Sequence, residues 1–298
     1  MAKYDVILLT ESRFDNPVLK NDYINNVILE DELLTKALLK KGLSVARWDW
    51  ARKDVDWSEG KYLLFRSTWN YHHYWDAFFT WLNATEKICE FINPIPTIRW
   101  NLDKRYLLEL KEKEVNVVNT MLIEKNDKRS LQAIYEEFGV KDIVLKPLIS
   151  AGGRHTYRLA EKDIESHEQL FKDIIAAEAM MLQEFQYNVP KEGELSLMFF
   201  GGVYSHAVLK RAKEGDFRVQ DNWGGRVYDH QASEEEILFS QHAIRQIDPV
   251  PVYGRVDVFR DNDDRLALAE IELIEPELWF RRHHPAADLL ASQILKLL

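Results

Sequence analysis

The stretch RVDVFRDNDDRLALAEIELIEP, Arg255 to Pro276, decides how the chain folds. Two apolar runs flank the acidic turn Asp261 to Asp264, the pattern of an antiparallel β-hairpin. In a strand, residues i and i+2 share a face, so Glu270 and Glu272 point one way and Ala269, Ile271 and Leu273 the other. Asp257 lies on the opposing run, and Asp257 and Glu270 are symmetric about the pair Asp263-Asp264. A hairpin centred there sets them side by side, whereas a slip of register pairs Asp257 with a neighbour. Three carboxylates on one sheet face repel one another unless a cation sits among them. Oxygen ligands without His or Cys suit Mg2+, which takes one or two carboxylates and completes its shell on substrate phosphates. A solvated outer face with no metal is the alternative that spacing leaves open.

Basic groups upstream bear on that choice. In VLKPLISAGGRHTYRL (Val144 to Leu159) a lysine, Lys146, ends an apolar strand just before a loop holding Gly152 and Gly153. Lys104 lies early in an expected helix, NLDKRYLLELKEKE, and VLKRAKEGDFRVQ supplies Lys210, Arg211 and Arg218. Each alone also reads as a snorkelling surface residue, and a glycine pair alone as a turn. Together they make a phosphate site, with glycines admitting backbone to phosphate oxygens and lysines supplying point charges. Neither a Walker A sequence nor GxGxxG is present.

Further out, YDVILLT, SVARWDW and KYLLFRS read as strands alternating with helices at Ile24 to Lys41 and YWDAFFTWLNAT. That alternation implies a parallel α/β unit over residues 1–97, closed by the punctuation NPIPT. Residues 98–185 read as a mixed lobe with a hairpin about the glycine loop. Residues 186–298 read as an α+β lobe, with a strand pair about Gly201-Gly202, the acidic hairpin and a closing helix from Pro285.

The net charge of −10 argues against a nucleic-acid partner. No run is apolar enough for a membrane, MAKYDVILLTESRFDN lacks a signal pattern, and a single cysteine excludes an internal disulfide; these features fit a cytoplasmic protein. Cys89 reads as core packing, most of the nine tryptophans as aromatic core, and the pairs His72-His73 and His283-His284 as structural or surface residues.

The order of these motifs resembles the ATP-grasp superfamily: NLDK, VLKP with a glycine loop, LQEF, the acid in EGELS, then RVDV and AEIELIEP. Within it, RSTWNY, GELSLMFFGG, YSHAVLKR, GDFRVQ and ELIEP look most like the glutathione-synthetase-like branch that includes a cycloserine-forming cyclo-ligase. The resemblance implies an ATP-grasp fold over residues 98–298 behind a Rossmann-like lobe. It implies that Lys104 and Lys146 hold ATP phosphates under a mobile loop of Ser150, Ala151, Gly152 and Gly153. Gln183, Glu184 and Phe185 become the adenine hinge and Glu194 a nucleotide-side acid. Asp257, Glu270 and Glu272 become ligands of Mg2+, with Mn2+ as a substitute. Arg218 stands beside the transferred phosphate, with Lys210 as a second catalytic cation. Many relatives carry Asn at the position of Glu272, so the carboxylate adds a charge here.

Superfamily members phosphorylate a carboxylate with ATP, and a nucleophile, usually an amine, displaces the phosphate. The expected partners are therefore a small carboxylate and an amine, with a homodimer compatible. Ligands of open α/β sheets bind beyond the carboxyl ends of the strands. FRSTWNY lies there, so Arg66 is a candidate to fork a substrate carboxylate, with Trp69, Asn70 and Tyr71 shaping the pocket. A structural ion pair is the other reading of Arg66. DNWGG (Asp221 to Gly225) is a candidate second loop or a surface turn. A phosphotransferase on the same scaffold and a nucleotide sensor without turnover are the alternative functions.

Overall fold

Largely apolar runs at the front of the chain form the strands of a parallel sheet. The computed structural model describes residues 2–15, 17–19, 21–150, 153–213, 215–216, 219 and 224–298. Strand β1 (Tyr4–Thr10) is followed by the short helix α1 (Ser12–Asp15) and by α2 (Asp22–Lys40). Asn21 caps α2 by accepting from the Ile24 amide, and Gly42, at φ 80°, ends it. Then come β2 (Val45–Asp49), β3 (Gly60–Ser67), α3 (Trp75–Thr85) and β4 (Glu90–Ile92). The sheet is parallel in the order β2-β1-β3-β4. Strand order reverses between β1 and β3, which opens a crevice at their carboxyl ends. Cys89 is buried beside this sheet, and its thiol donates to the Trp57 carbonyl at 2.8 Å.

Helices α4 (Ile95–Asn101) and α5 (Tyr106–Glu112) follow. The expected helix through NLDK is thus broken, and Lys104 lies in the turn between the two. Tertiary contacts account for the break, since the Lys104 amide donates to the Leu148 carbonyl at 3.0 Å. The Tyr106 hydroxyl likewise meets the backbone of Ile271.

A second sheet, antiparallel, has the order β5-β8-β6-β7. It comprises β5 (Thr120–Ile123), β6 (Asp142–Pro147), β7 (Tyr157–Ala160) and β8 (Met180–Glu184), with α6 (Leu131–Phe138) and α7 (Glu161–Ala177) packed on one face. The short α8 (Val189–Glu192) leads to a third sheet, in the order β11-β10-β9-β12-β13. Its members are β9 (Glu194–Phe200), β10 (Val203–Arg211), β11 (Arg226–His230), β12 (Tyr253–Arg260) and β13 (Leu266–Glu272). Helix α9 (Glu234–Arg245) joins β11 to β12, and α10 (Pro285–Leu295) ends the chain.

The packing is not sequential. Helix α10 lies on α2 and shares a core with β1, uniting Leu8, Leu34 and Leu38 with Phe280, Leu290 and Ile294. Helix α5 packs under the third sheet, with Leu107 and Leu110 against Leu197, Val256 and Ile271. Dividing lines at residues 97 and 185 separate the sheets but cut through these cores.

The acidic hairpin pairs Asp257 with Glu270 by a route the sequence conceals. Its tip runs from Asp261 to Arg265, and Arg260 pairs with Leu266, a register that would continue to Ala269 opposite Asp257. A β-bulge between Asp257 and Val258 shifts the ladder by one and brings Glu270 opposite Asp257. Ala269 is the extra residue, so it is bulged and does not join Ile271 and Leu273 on the core face. Bulges re-aim side chains in this way beside functional sites.

Candidate active site

A cleft of about 900 Å³ lies where the three sheets meet. Its floor is the polar face of the third sheet. Register places Lys210 opposite Glu194, Ser196 opposite Asp257, and Arg255 opposite Glu272. Asp257 is the hub. Arg255 donates to both its oxygens at 2.8 Å, Lys210 lies 2.8 Å away and the Ser196 hydroxyl 2.6 Å away. Burial works against this carboxylate, but the two cations hold its pKa well below the usual range. Lys210 also reaches Glu194 at 2.6 Å, and Arg255 pairs with Glu272. Burial, with Asp257 and Glu270 nearby, nevertheless pushes Glu272 up to about 7.

Above this floor stand two lysines in unlike states. Lys104 pairs with Glu270 and reaches the Ser150 carbonyl at 3.4 Å; burial opposes its charge, but Glu270 keeps its pKa raised. Lys146, on β6, has no hydrogen-bond or ion-pair partner among the described residues. Burial, and then the charge of Lys104, bring it down to about 8. Ser150 and Gly153 line the same cleft; Ala151, Gly152 and Arg218 lie outside the described residues, as do 221–223 of the DNWGG segment. Gln183, Glu184 and Phe185 line the far end. Their backbone is already engaged, with the Glu184 amide on Asn119 and the Phe185 amide on Asp142.

On the first lobe, the segment at the strand-order reversal faces the cleft as expected for Trp69, Asn70 and Tyr71. The Trp69 indole donates to the Glu275 carbonyl at 2.9 Å, Asn70 accepts from the Trp50 indole at 2.8 Å, and Tyr71 packs on Phe78. Arg66 does not line the cleft. It is 3% exposed, its Nε lies 3.6 Å from Asp31, and it donates to the Pro276 carbonyl at 3.3 Å. Side chains alternate along β3, which turns Arg66 inward, so the structural ion pair describes it. Arg66→Ala should therefore cost about 3 kcal/mol of stability in denaturant unfolding, from a buried pair left half made. Asp31 keeps Arg47 at 2.8 Å, and nucleotide affinity should stay unchanged.

Residues 107–249 match the family model of the prokaryotic glutathione synthetase ATP-grasp domain, and residues 6–93 that of the N-terminal domain of D-cycloserine synthetase DcsG. The cycloserine biosynthesis protein DcsG of Streptomyces lavendulae is 29% identical over 260 residues, covering 82% of this chain and 86% of its own. The crystal structure of D-cycloserine synthetase DcsG superposes with a TM-score of 0.85 at 25% identity, over 98% of this chain and 99% of that one. The chain is an ATP-grasp ligase. A RimK domain ATP-grasp protein from Sphaerobacter thermophilus shares its fold at 15% identity, with a TM-score of 0.69 and 98% and 99% of the two chains covered. So does the ligase PsnB, complexed with a variant of its minimal precursor, Mg and ADP, at 15% identity and a TM-score of 0.67, over 99% and 100%. Membership sets aside the reading as a sensor without turnover. No helix among the described residues is long and apolar enough to cross a membrane.

ATP-grasp ligases use ATP with Mg2+, and the cleft of this ligase carries acids that could hold the ion. Among the described residues, no three His, Cys, Asp or Glu side chains stand together as a preformed metal cluster. Asp257 is taken up by Arg255 and Lys210. Glu270 and Glu272 each have one cationic partner, Lys104 and Arg255, and keep side chains 32% and 29% exposed to the cleft. Two carboxylates completed by phosphate oxygens suit Mg2+, and a cation there would offset the burial, and then the Asp257 and Glu270 charges, that raise the pKa of Glu272. The donors fit.

Sequence reading missed several groups of this ligase. Arg255 stands two residues before Asp257 in one strand and so on its face, a signal that was available. Glu11, paired with Arg13, and the rings of His72 and His73 line the first-lobe end. Burial, then His73, bring His72 down to about 4, and its Nδ1 is buried without a partner among the described residues; His73 is exposed at the cleft mouth, in keeping with a surface residue. Their contacts come from fold geometry, which local sequence does not carry.

Proposed function

We propose that this ligase uses ATP and Mg2+ to convert a small carboxylate into an acyl phosphate, which an amine on the same or another molecule then attacks. The observation that carries the reading is Lys146, a half-buried lysine without a side-chain partner among the described residues, which faces the same cleft as the carboxylate floor. A buried cation costs free energy unless an anion meets it, and ATP phosphates are the anion this family uses.

In the first step a carboxylate oxygen bonds to the γ-phosphorus and ADP leaves. In the second the amine nitrogen bonds to the carbonyl carbon, inorganic phosphate leaves, and the amine loses a proton. Such transfers need positioning and charge around the phosphoryl oxygens more than covalent help. Lys146 and Lys104 are the phosphate-holding cations, Lys104 after exchanging Glu270 for a phosphate. Glu270 and Glu272 would hold Mg2+, which when bound spreads phosphate charge; Asp257 would join them only by releasing Arg255 or Lys210. Lys210 fixes Asp257 and Glu194, and Arg218 remains the proposed partner of the transferred phosphate. Gln183 to Phe185 form the adenine hinge. Since their amides are engaged, the backbone N–H of the next residue, Gln186, which has no partner among the described residues, is the donor offered to the base. The loop from Ser150 to Gly153 excludes water, which protects a labile acyl phosphate.

With hydroxylamine in place of the amine, a screen of small carboxylates with Mg2+-ATP should yield a hydroxamate in step with ADP. A stable phosphoryl ester instead would favour the phosphotransferase.

A further inference from the structure

We infer that Glu275 is the recognition residue for a positively charged amine on the acceptor substrate, held at the first-lobe end of the cleft; the inference rests on the ligase reading above. Glu275 follows β13 in ELIEP, is 9% exposed and lines the cleft. Its position is fixed from the first lobe, because Trp69 donates to its carbonyl at 2.9 Å, and the Tyr71 hydroxyl acts on its carboxyl against the effect of burial. The acids around it are matched by cations: Glu11 by Arg13, Glu194 by Lys210, Asp257 and Glu272 by Arg255, Glu270 by Lys104, and Glu277 by Arg281. Glu275 has no Lys, Arg or His partner among the described residues. Lys104 feels its charge but is committed to Glu270.

Burial, then the charge of Glu272, push the Glu275 carboxyl up to about 8, so near neutral pH its carboxylate forms as a bound ammonium takes the place of the proton. Buried charges are otherwise paired, so a carboxylate left open toward a ligand cleft is an invitation to a cation. The walls agree, since Trp69 and Tyr71 present aromatic surface that favours ammonium over an anion. Trp69 and Tyr71 place Glu275 against the first lobe, so an acceptor bearing an amine is oriented with that group toward the first lobe. The role assigned to Glu275 is recognition, not proton transfer.

The test is isothermal titration of n-butylammonium chloride, with n-butanol and sodium butyrate as neutral and anionic counterparts, into wild type, Glu275→Gln and Glu277→Gln. Mg2+-AMPPNP affinity is measured on the same samples. Wild type should prefer butylammonium by about tenfold or more, the scale of one hydrogen bond to a charged group. Glu275→Gln should remove that preference. Glu277→Gln, the same charge change at an acid already matched by Arg281, should leave it within about threefold. Absence of butylammonium binding, equal binding of the three probes, or equal losses in both variants overturns the inference. If Glu275→Gln does not fold, the wild-type preference and its persistence in Glu277→Gln decide. Loss of Mg2+-AMPPNP binding in wild type would count against the ligase reading, whereas nucleotide binding without amine preference would sink Glu275 alone.

Discussion

Asp257→Asn and Glu270→Gln should each lower Mg2+-dependent turnover by roughly a hundredfold or more, the scale of losing a principal electrostatic stabiliser. The two should part without metal. Asp257 is the shared anion of Arg255 and Lys210, and its lowered pKa means that it contributes stability above the unfolded value of about 3.9, lost as pH falls through the folded one. Asn there leaves two cations facing each other, so the unfolding temperature at pH 7 should drop. Relief of acid–acid repulsion, the simple expectation for a crowded acidic face, does not apply to an acid already matched twice. Burial first, and then repulsion from Asp257 and Glu270, hold Glu272 up to about 7, so its ionisation is costly above the unfolded value and Glu272→Gln should stabilise the protein at pH 8. Glu270→Gln frees Lys104, so ATP without metal should bind at least as well as to wild type. Unchanged turnover in Asp257→Asn and Glu270→Gln would reduce the floor to an ordinary ion-pair network.

Lys146→Met should weaken Mg2+-AMPPNP binding by about a hundredfold, in the range for removing one member of a buried charge pair. It should also raise the stability of the free protein. A lysine whose folded pKa lies near 8, below the unfolded value of about 10.4, binds fewer protons folded than unfolded; its charge costs stability at pH 7, and the cost fades as pH rises through that interval. Phosphate should reverse the shift, so nucleotide binding takes up a proton near pH 8. The Lys146 contribution to wild-type affinity should be flat below about pH 7 and fall toward tenfold per pH unit above 8, a slope that Lys146→Met abolishes. Calorimetry in buffers of different ionisation enthalpy reads both. Equal affinities for wild type and Lys146→Met would remove Lys146 from the phosphate site.

Alternation and turn residues are local, which is why the hairpin faces, the glycine-turned β9–β10 pair and the strand leading to Lys146 were readable from sequence. The bulge at Ala269 was not, because it compensates a tip one residue off the apparent centre, and only the ladder beyond it records the shift. Arg66 and Arg255 both sit in apolar strands. Their fates differ through Asp31 and Asp257; the first is remote in sequence, and the second is two residues away and was overlooked. The break before α5 carries no Pro or Gly, being imposed by Leu148 and Ile271. The apolar stripe of α10 was visible, but its partner α2 was not, since amphipathic periodicity states that a face is buried and not against what.

The central claim is that the cleft above the acidic floor is the nucleotide site and that Lys146 waits there for phosphate. A crystal structure of the wild-type protein with Mg2+-AMPPNP tests it directly. The account predicts phosphate oxygens within hydrogen-bond distance of the Lys146 Nζ, Lys104 drawn off Glu270 to the same phosphates, and adenine against residues 183–186. Nucleotide bound elsewhere, or bound in this cleft with Lys146 still unpartnered and Lys104 still on Glu270, would contradict it.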